Sequence, residues 1–231
     1  MRVLTVDDLS FELKPSSRRR TLQITVDRSG ELVLLAPPDV EYERLRQFVL
    51  EKRFWIYTKL AEKDRLQKAV PTKSYVDGEG FLYLGRSYRL RLVDEQEAPL
   101  KLLNGRFMFR RDLAESARTH LVQWYRGRAK LWLWEKVKDY VARMEVQPVG
   151  LKVQDLGFRW GSCGKGDWLY FHWKTILLPP RIAEYVVVHE LAHLHQPHHT
   201  PEFWQRVERA LPDFERRKIW LAEHGMDVEG I

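Results

Sequence analysis

Only one cysteine, Cys163, stands in the 231 residues. A lone thiol excludes an internal disulfide framework and a thiolate-rich zinc site, so any metal must be held by histidine and carboxylate. Long apolar runs are missing too. No stretch approaches the roughly 20 residues needed to cross a bilayer. The opening MRVLTVDDLSFELKP has neither a basic n-region nor an apolar h-region. These absences lead us to expect a cytoplasmic protein with no membrane segment. Low-complexity linkers and sequence repeats are also absent. With 44% hydrophobic and 31% charged residues, the composition excludes intrinsic disorder and permits one large core or two small ones.

Acidic residues are in deficit, 32 against 39 Lys and Arg, for a formal charge of +7. Part of the imbalance is local. Eleven Lys/Arg face five Asp/Glu between Lys101 and Val146, an excess of six. An excess of this size suits a solvated helix face, and it also keeps nucleic acid or an acidic protein open as a partner.

The first hundred residues alternate in short runs separated by turn signals. Arg20–Val26 alternates cleanly, Asp27 to Gly30 supplies a turn, and Glu31–Ala36 returns before Pro37-Pro38, which describes a hairpin. Tyr42 to Gln67 switches to helical spacing, with Leu45, Phe48, Val49, Lys52, Trp55 and Ile56 on one face and Asp39 as N-cap. Strands are expected at Phe81–Tyr83 and Tyr88–Val93, joined at Gly85, and again around Phe107–Phe109. From Asp112 to Met144 the residues Leu113, Ala117, Leu121, Trp124, Leu131, Val137, Val141 and Met144 recur at mostly three or four positions, predicting a long amphipathic helix. Its aromatics, Trp124, Tyr125, Trp132, Trp134 and Tyr140, are read as core. A strand is expected near Leu151–Gln154 and a longer one over Trp168–Leu178. Pro179-Pro180 ends that strand and opens a helix. The chain is therefore read as α+β, with a β-rich subdomain over residues 1–110 and a second domain over 111–231.

The helix after Pro180 contains Val186-Val187-Val188-His189-Glu190-Leu191-Ala192-His193-Leu194. Histidines four apart lie one above the other on a helix face, so both imidazoles can reach one ion. Glu190, next to the first histidine, can act on a water at that ion without ligating it. The H-E-x-x-H pattern arises by chance on the order of 2% of the time in such a chain, so its surroundings must support it. They do. The valines mark a buried helix, where two histidines need a polar partner. Pro197 bends the chain just past the motif, so that His198 or His199 can return as a third ligand. His195 lies off the ligand face. Three ligands and an open position describe a catalytic zinc site.

At these residues the chain resembles the YgjP-like family of zinc metallopeptidases, related to the WLM and SprT-like proteins of the zincin group. The resemblance extends to Ser17-Arg18-Arg19-Arg20, Tyr83-Leu84-Gly85-Arg86, Arg159-Trp160-Gly161-Ser162-Cys163 and Phe203-Trp204. It implies that residues 111–231 form a zincin-like catalytic domain and that His199, not His198, completes a site for one Zn2+ with His189 and His193. Metzincins place a glycine where this chain has Gln196, and the rRNA-maturation endoribonucleases lack a glutamate after the first histidine. Glu190 therefore argues for hydrolysis of peptide bonds in a protein or peptide substrate.

Trp160, Gly161 and Ser162 suit a tight loop at the cleft, where a backbone N–H or the Ser162 hydroxyl can support an oxyanion. A loop locked by Trp160 in the core is the alternative. The strand from Trp168 is the expected edge for an extended substrate, with Trp173 and His172 on its opposite sides and so one of them toward the cleft, a buried Trp173 being the plainer alternative. Two further functional classes stay open: a protease recruited by DNA or RNA, as in SprT-like relatives, and a zinc-dependent ribonuclease.

Overall fold

The computed structural model describes residues 2–27, 30–66, 72–157 and 159–231. The backbone divides into two compact units, Met1–Ala69 and Val70–Ile231. The first contains β1 (Arg2–Val6), β2 (Leu9–Pro15), β3 (Gln23–Val26), β4 (Leu32–Ala36) and the helix α1 (Tyr42–Leu66). Its core gathers Leu4, Val6, Phe11, Leu34, Leu45, Val49 and Ile56. The expected hairpin is present as the antiparallel pair β3 and β4. Because α1 begins at Tyr42, Asp39 is too early to cap it. Trp55, expected on the apolar face, is exposed. Residues 28, 29 and 67 of the expected turn and helix lie outside the described residues.

The second unit opens with β5 (Gly80–Tyr83), β6 (Arg86–Val93), β7 (Leu100–Leu103) and β8 (Arg106–Arg110), followed by a 3-10 turn and the helix α2 (Ala117–Met144). Its strand order, β5-β6-β8-β7, reproduces β1-β2-β4-β3 in the first unit. Each sheet joins two hairpins through a parallel central pair, β2 with β4 and β6 with β8, and each precedes a long helix. The chain thus repeats a topology without repeating a sequence.

A single stripe of α2 is buried: Ala117, Leu121, Tyr125, Ala129, Leu133, Val137, Tyr140 and Met144. Leu131, assigned to that stripe from spacing, is 66% exposed. The Tyr125 hydroxyl donates to the Leu82 carbonyl at 2.8 Å, satisfying its one polar group in the core. Phe81, Leu90, Phe107 and Phe109 share this core with Leu121, Tyr125 and Val187. The composition shift near residue 110 therefore runs through one packed core, and the packing divides at residue 69/70 instead.

After α2 come β9 (Gly150–Gln154), β10 (Gly161–Cys163) and β11 (Trp168–His172), in the order β10-β11-β9. The strand expected to reach Leu178 stops at His172, where the His172 Nδ1 accepts the Lys174 N–H at 3.0 Å and a 3-10 turn begins. The helices α3 (Pro180–Ala192), α4 (Pro201–Ala210) and α5 (Phe214–His224) complete the unit. Gly85, at φ +74°, lets the β5–β6 turn donate from the Leu84 and Gly85 N–H groups to the Ile176 and Leu177 carbonyls at 2.8 and 3.1 Å. A Cβ on Gly85 would sit 2.7 Å from the Pro179 backbone, so this glycine permits the clamp that sets where α3 starts. The fold is α+β, and no helix is long and apolar enough to cross a membrane among the described residues.

Candidate metal centre

Pro180 opens α3 at its first turn, and the helix is apolar on nearly every side, with Ile182, Ala183, Val186, Val187, Val188, Leu191 and Ala192 buried. Such a helix is held by packing on all faces, which makes its polar side chains rigid. His189 lies inside it and His193 is its C-cap, still with helical dihedrals (φ −67°, ψ −18°), so the two rings share one face. The chain then tightens: Leu194 and His195 donate to the Leu191 and Ala192 carbonyls, and Gln196 reaches Ala192. Thr200 caps α4 by accepting the Phe203 N–H, with Pro201 in the first turn. That cap places His199 immediately before α4 and returns it to the face of α3.

One nitrogen from each of His189, His193 and His199 lies within 4.8 Å of the other two. The Nε2 atoms of His189 and His199 are 3.0 Å apart. Tetrahedral coordination at about 2.0–2.1 Å would put two such nitrogens at about 3.3 Å, so the rings need to move only a few tenths of an ångström to share an ion. His193 Nδ1 lies 3.0 Å from the Gln196 carbonyl, to which a neutral ring donates, leaving Nε2 as the acceptor turned to its neighbours. The His189 Nδ1 is buried without a hydrogen-bond partner, so that ring is held by its Nε2 side and by the edges of Phe203 and Tyr185 at 5.0 and 5.9 Å. Burial, reinforced by neighbouring positive charge, pushes the His189 imidazole down to about 3. Burial also lowers His193 and His199. All three rings are thus kept neutral, the form that ligates metal. The donor set fits a divalent ion.

Glu190 is 5% exposed and lies against β10. Burial pushes its carboxyl up to about 8, opposed by the charge of Arg159 and by a hydrogen bond from the Cys163 N–H. Gly161 makes the approach possible, since a Cβ there would fall 2.6 Å from the Glu190 Cγ and Oε1.

The scan against family models matches residues 20–224 to the model described as YgjP-like, metallopeptidase domain. The chain belongs to the YgjP-like metallopeptidase family. A comparison with curated proteins found no match. Among solved structures, a detectable likeness is to the crystal structure of the metallopeptidase zymogen of Pyrococcus abyssi abylysin, at 23% identity, covering 38% of this chain and 86% of that one, with a TM-score of 0.35. A likeness that slight carries no argument about the fold.

Not every residue singled out in this YgjP-like chain joins the cluster. His195 turns away and bonds the Met144 carbonyl at the end of α2 through Nε2, at 3.1 Å. His198 is exposed and offers its carbonyl to the Thr200 N–H. Trp173 faces no cleft. It is 2% exposed and stacks on Tyr125 at 6.1 Å, so its assignment to substrate binding is corrected to core packing. His172 is buried as well, between the Lys174 N–H and Asp155. Trp160 serves as a lock: its carbonyl accepts from the His172 N–H and the Thr175 hydroxyl at 2.8 and 3.2 Å, and its ring stands at Gly225. Gly161 and Ser162 lie in β10, beside Glu190. Trp204, the second residue of the Phe203-Trp204 pair, joins the cluster from α4. It stacks on His199 at 5.6 Å and carries the Lys218 ammonium 4.2 Å over its ring.

Proposed function

We propose that this metallopeptidase uses a single zinc ion held by His189, His193 and His199, with Glu190 as the proton-handling group. The observation that carries the reading is the convergence of three neutral imidazoles beside a buried carboxylate, on a helix end that has no other use for them. A zinc ion there would supply a Lewis acid for the scissile carbonyl and bring the pKa of water to about 7. The charge of a bound divalent ion would offset the burial that raises the Glu190 carboxyl and favour its ionised form, which would take the proton of the attacking water and deliver it to the leaving amine. The Cys163 N–H holds the carboxylate in place between the two steps.

The substrate edge differs from the one expected. β11 has β10 on one side and β9 on the other, so its backbone is already paired. β10 is an edge of that sheet. Its bonds to β11 run through the Trp160 carbonyl and the Gly164 N–H. The alternation of an antiparallel pair then turns the backbone polar groups of Gly161 and Cys163 outward. A peptide adding along β10 would meet the Gly161 N–H and C=O and the Cys163 C=O, next to Glu190.

Glu190→Gln keeps the shape and hydrogen-bonding reach of the side chain and removes its basicity. We expect zinc affinity within a few-fold of wild type, by chelator competition, and a loss of turnover of 10²-fold or more on a labelled protein substrate. Equal cleavage by the two proteins would sink the mechanism.

A further inference from the structure

The sheet β5-β6-β8-β7 has faces of opposite character. Phe81, Leu90, Phe107 and Phe109 point into the core. Strand alternation sends Arg89 and Arg91 of β6, Arg106, Met108 and Arg110 of β8, and Lys101 of β7 to the other face. Parallel pairing sets Arg89 beside Arg106, at the roughly 4.8 Å spacing of neighbouring strands, where like charges repel. Carboxylates answer only part of this charge. Asp112 pairs with Arg110, Asp94 with Arg111 at 2.9 Å, and Glu97 lies 3.7 Å from Lys101. Arg89 donates to the Gly78 carbonyl at 2.8 Å. The Arg91 and Arg106 side chains are exposed and make no hydrogen bond or ion pair with any described residue. A depression of about 550 Å³ lies over them, lined by Arg89, Arg91, Arg106 and Arg111. Asp77 is its one carboxylate, and the Oδ1 already accepts the Leu92 N–H at 2.7 Å.

We propose that this face binds the phosphate backbone of duplex nucleic acid without reading its sequence. Guanidinium forks match phosphate oxygens in a bidentate manner. A folded protein partner needs a desolvated aromatic or aliphatic anchor, and beside the arginines the described face offers Leu82, Val93, Leu103 and Met108, the last three each paired across the sheet with an arginine. A single strand is gripped by stacking its bases on exposed rings, and the face presents none. A duplex backbone needs neither, because its affinity comes from released counterions. Of the basic excess between Lys101 and Val146, Lys101, Arg106 and Arg110 belong to this face, whereas α2 packs against the opposite one.

The test uses the full chain and a fluorescein-labelled duplex of about 20 base pairs and arbitrary sequence, with anisotropy read across a salt series. Three engaged arginines predict a slope of log K against log salt near −2.7, at about −0.9 per phosphate. Arg91→Gln combined with Arg106→Gln should flatten that slope by about 1.8 and weaken low-salt binding by about tenfold or more. Both side chains are exposed and unpaired, so an unchanged thermal midpoint separates a lost contact from a lost fold. An unchanged slope in the double variant overturns the proposal. So does failure of the wild type to bind the duplex, or tighter binding of a labelled single strand or of poly-glutamate. None of these readouts involves turnover, so the result is independent of the peptidase reading.

Discussion

Replacing Gly161 with alanine adds one methyl group where β10 meets Glu190 of α3. The new Cβ would fall 2.6 Å from the Glu190 Cγ and Oε1 and 2.8 Å from its Cδ, against about 3.5–4.0 Å for relaxed carbon contacts. The overlap is therefore about 1 Å. Glu190 has no open side to retreat to, being buried on α3 with its carboxylate held by the Cys163 N–H. Gly161 does not need a left-handed backbone, so alanine brings no torsional strain and the effect is purely steric. Overpacking of this kind costs about 1–3 kcal/mol, a fall in melting temperature of about 2–12 °C for a chain of this length. Displacing a catalytic group by about 1 Å costs on the order of a hundredfold in rate. The histidines are not touched, so zinc affinity should stay within about threefold of wild type. Three measurements decide it: a thermal melt, chelator competition, and turnover on labelled casein or any peptide the wild type cleaves. Wild-type turnover in Gly161→Ala would refute the claim that Glu190 must sit where β10 holds it. A fall in zinc affinity matching the fall in rate would refute the claim that ligands and base are positioned separately.

The neighbouring histidines should separate by role. His193→Ala should abolish stoichiometric zinc binding, whereas His195→Ala should keep the metal and lose about 1 kcal/mol of stability with its bond to the Met144 carbonyl; the reverse ranking in metal analysis and melts would overturn the ligand assignment. Burial, with Glu190 and Asp167 nearby, pushes the Cys163 thiol up to about 11. At pH 8 the thiolate fraction is then about a hundredfold below that of an ordinary cysteine, so alkylation should be slower by that factor and should accelerate about tenfold per pH unit up to about pH 10. Alkylation at the rate of a free thiol would show that the side chain is open to solvent.

The parts of the fold legible from the chain were those where a local period meets a single packing environment. The β3–β4 hairpin and β6 show this, since each alternates cleanly. The turn at Asn104-Gly105, with both residues at positive φ, was equally readable from its dipeptide and defines β7, which spacing alone did not reveal. On α2 the period was right and the stripe was wrong in its middle. Leu131 is apolar and at helical spacing, whereas the buried line runs through Tyr125, Ala129 and Leu133. Hydrophobicity cannot tell which of two apolar rows meets a neighbour. The duplicated strand order was invisible for a related reason: topology constrains which strands pair, and many unrelated sequences satisfy the same pairing.

The metal centre divides along the same line. The separation of His189 and His193 is a property of one helix, and any chain that forms that helix puts both rings on one face. Local chemistry could also have placed His199, because Thr200-Pro201 is a helix-start signal and a residue just before an N-cap is carried to the helix entrance. The position of Glu190 against β10 has no local signature. It depends on β10 lying beside α3, on Gly161 lacking a side chain at the contact, and on the Cys163 N–H facing away from β11. Those three conditions come from segments about thirty residues away in the chain. The proposed ligand set is thus written in the spacing of one helix and its cap, while the placement of the proposed base is set by a strand whose sequence shows only a small, tight turn.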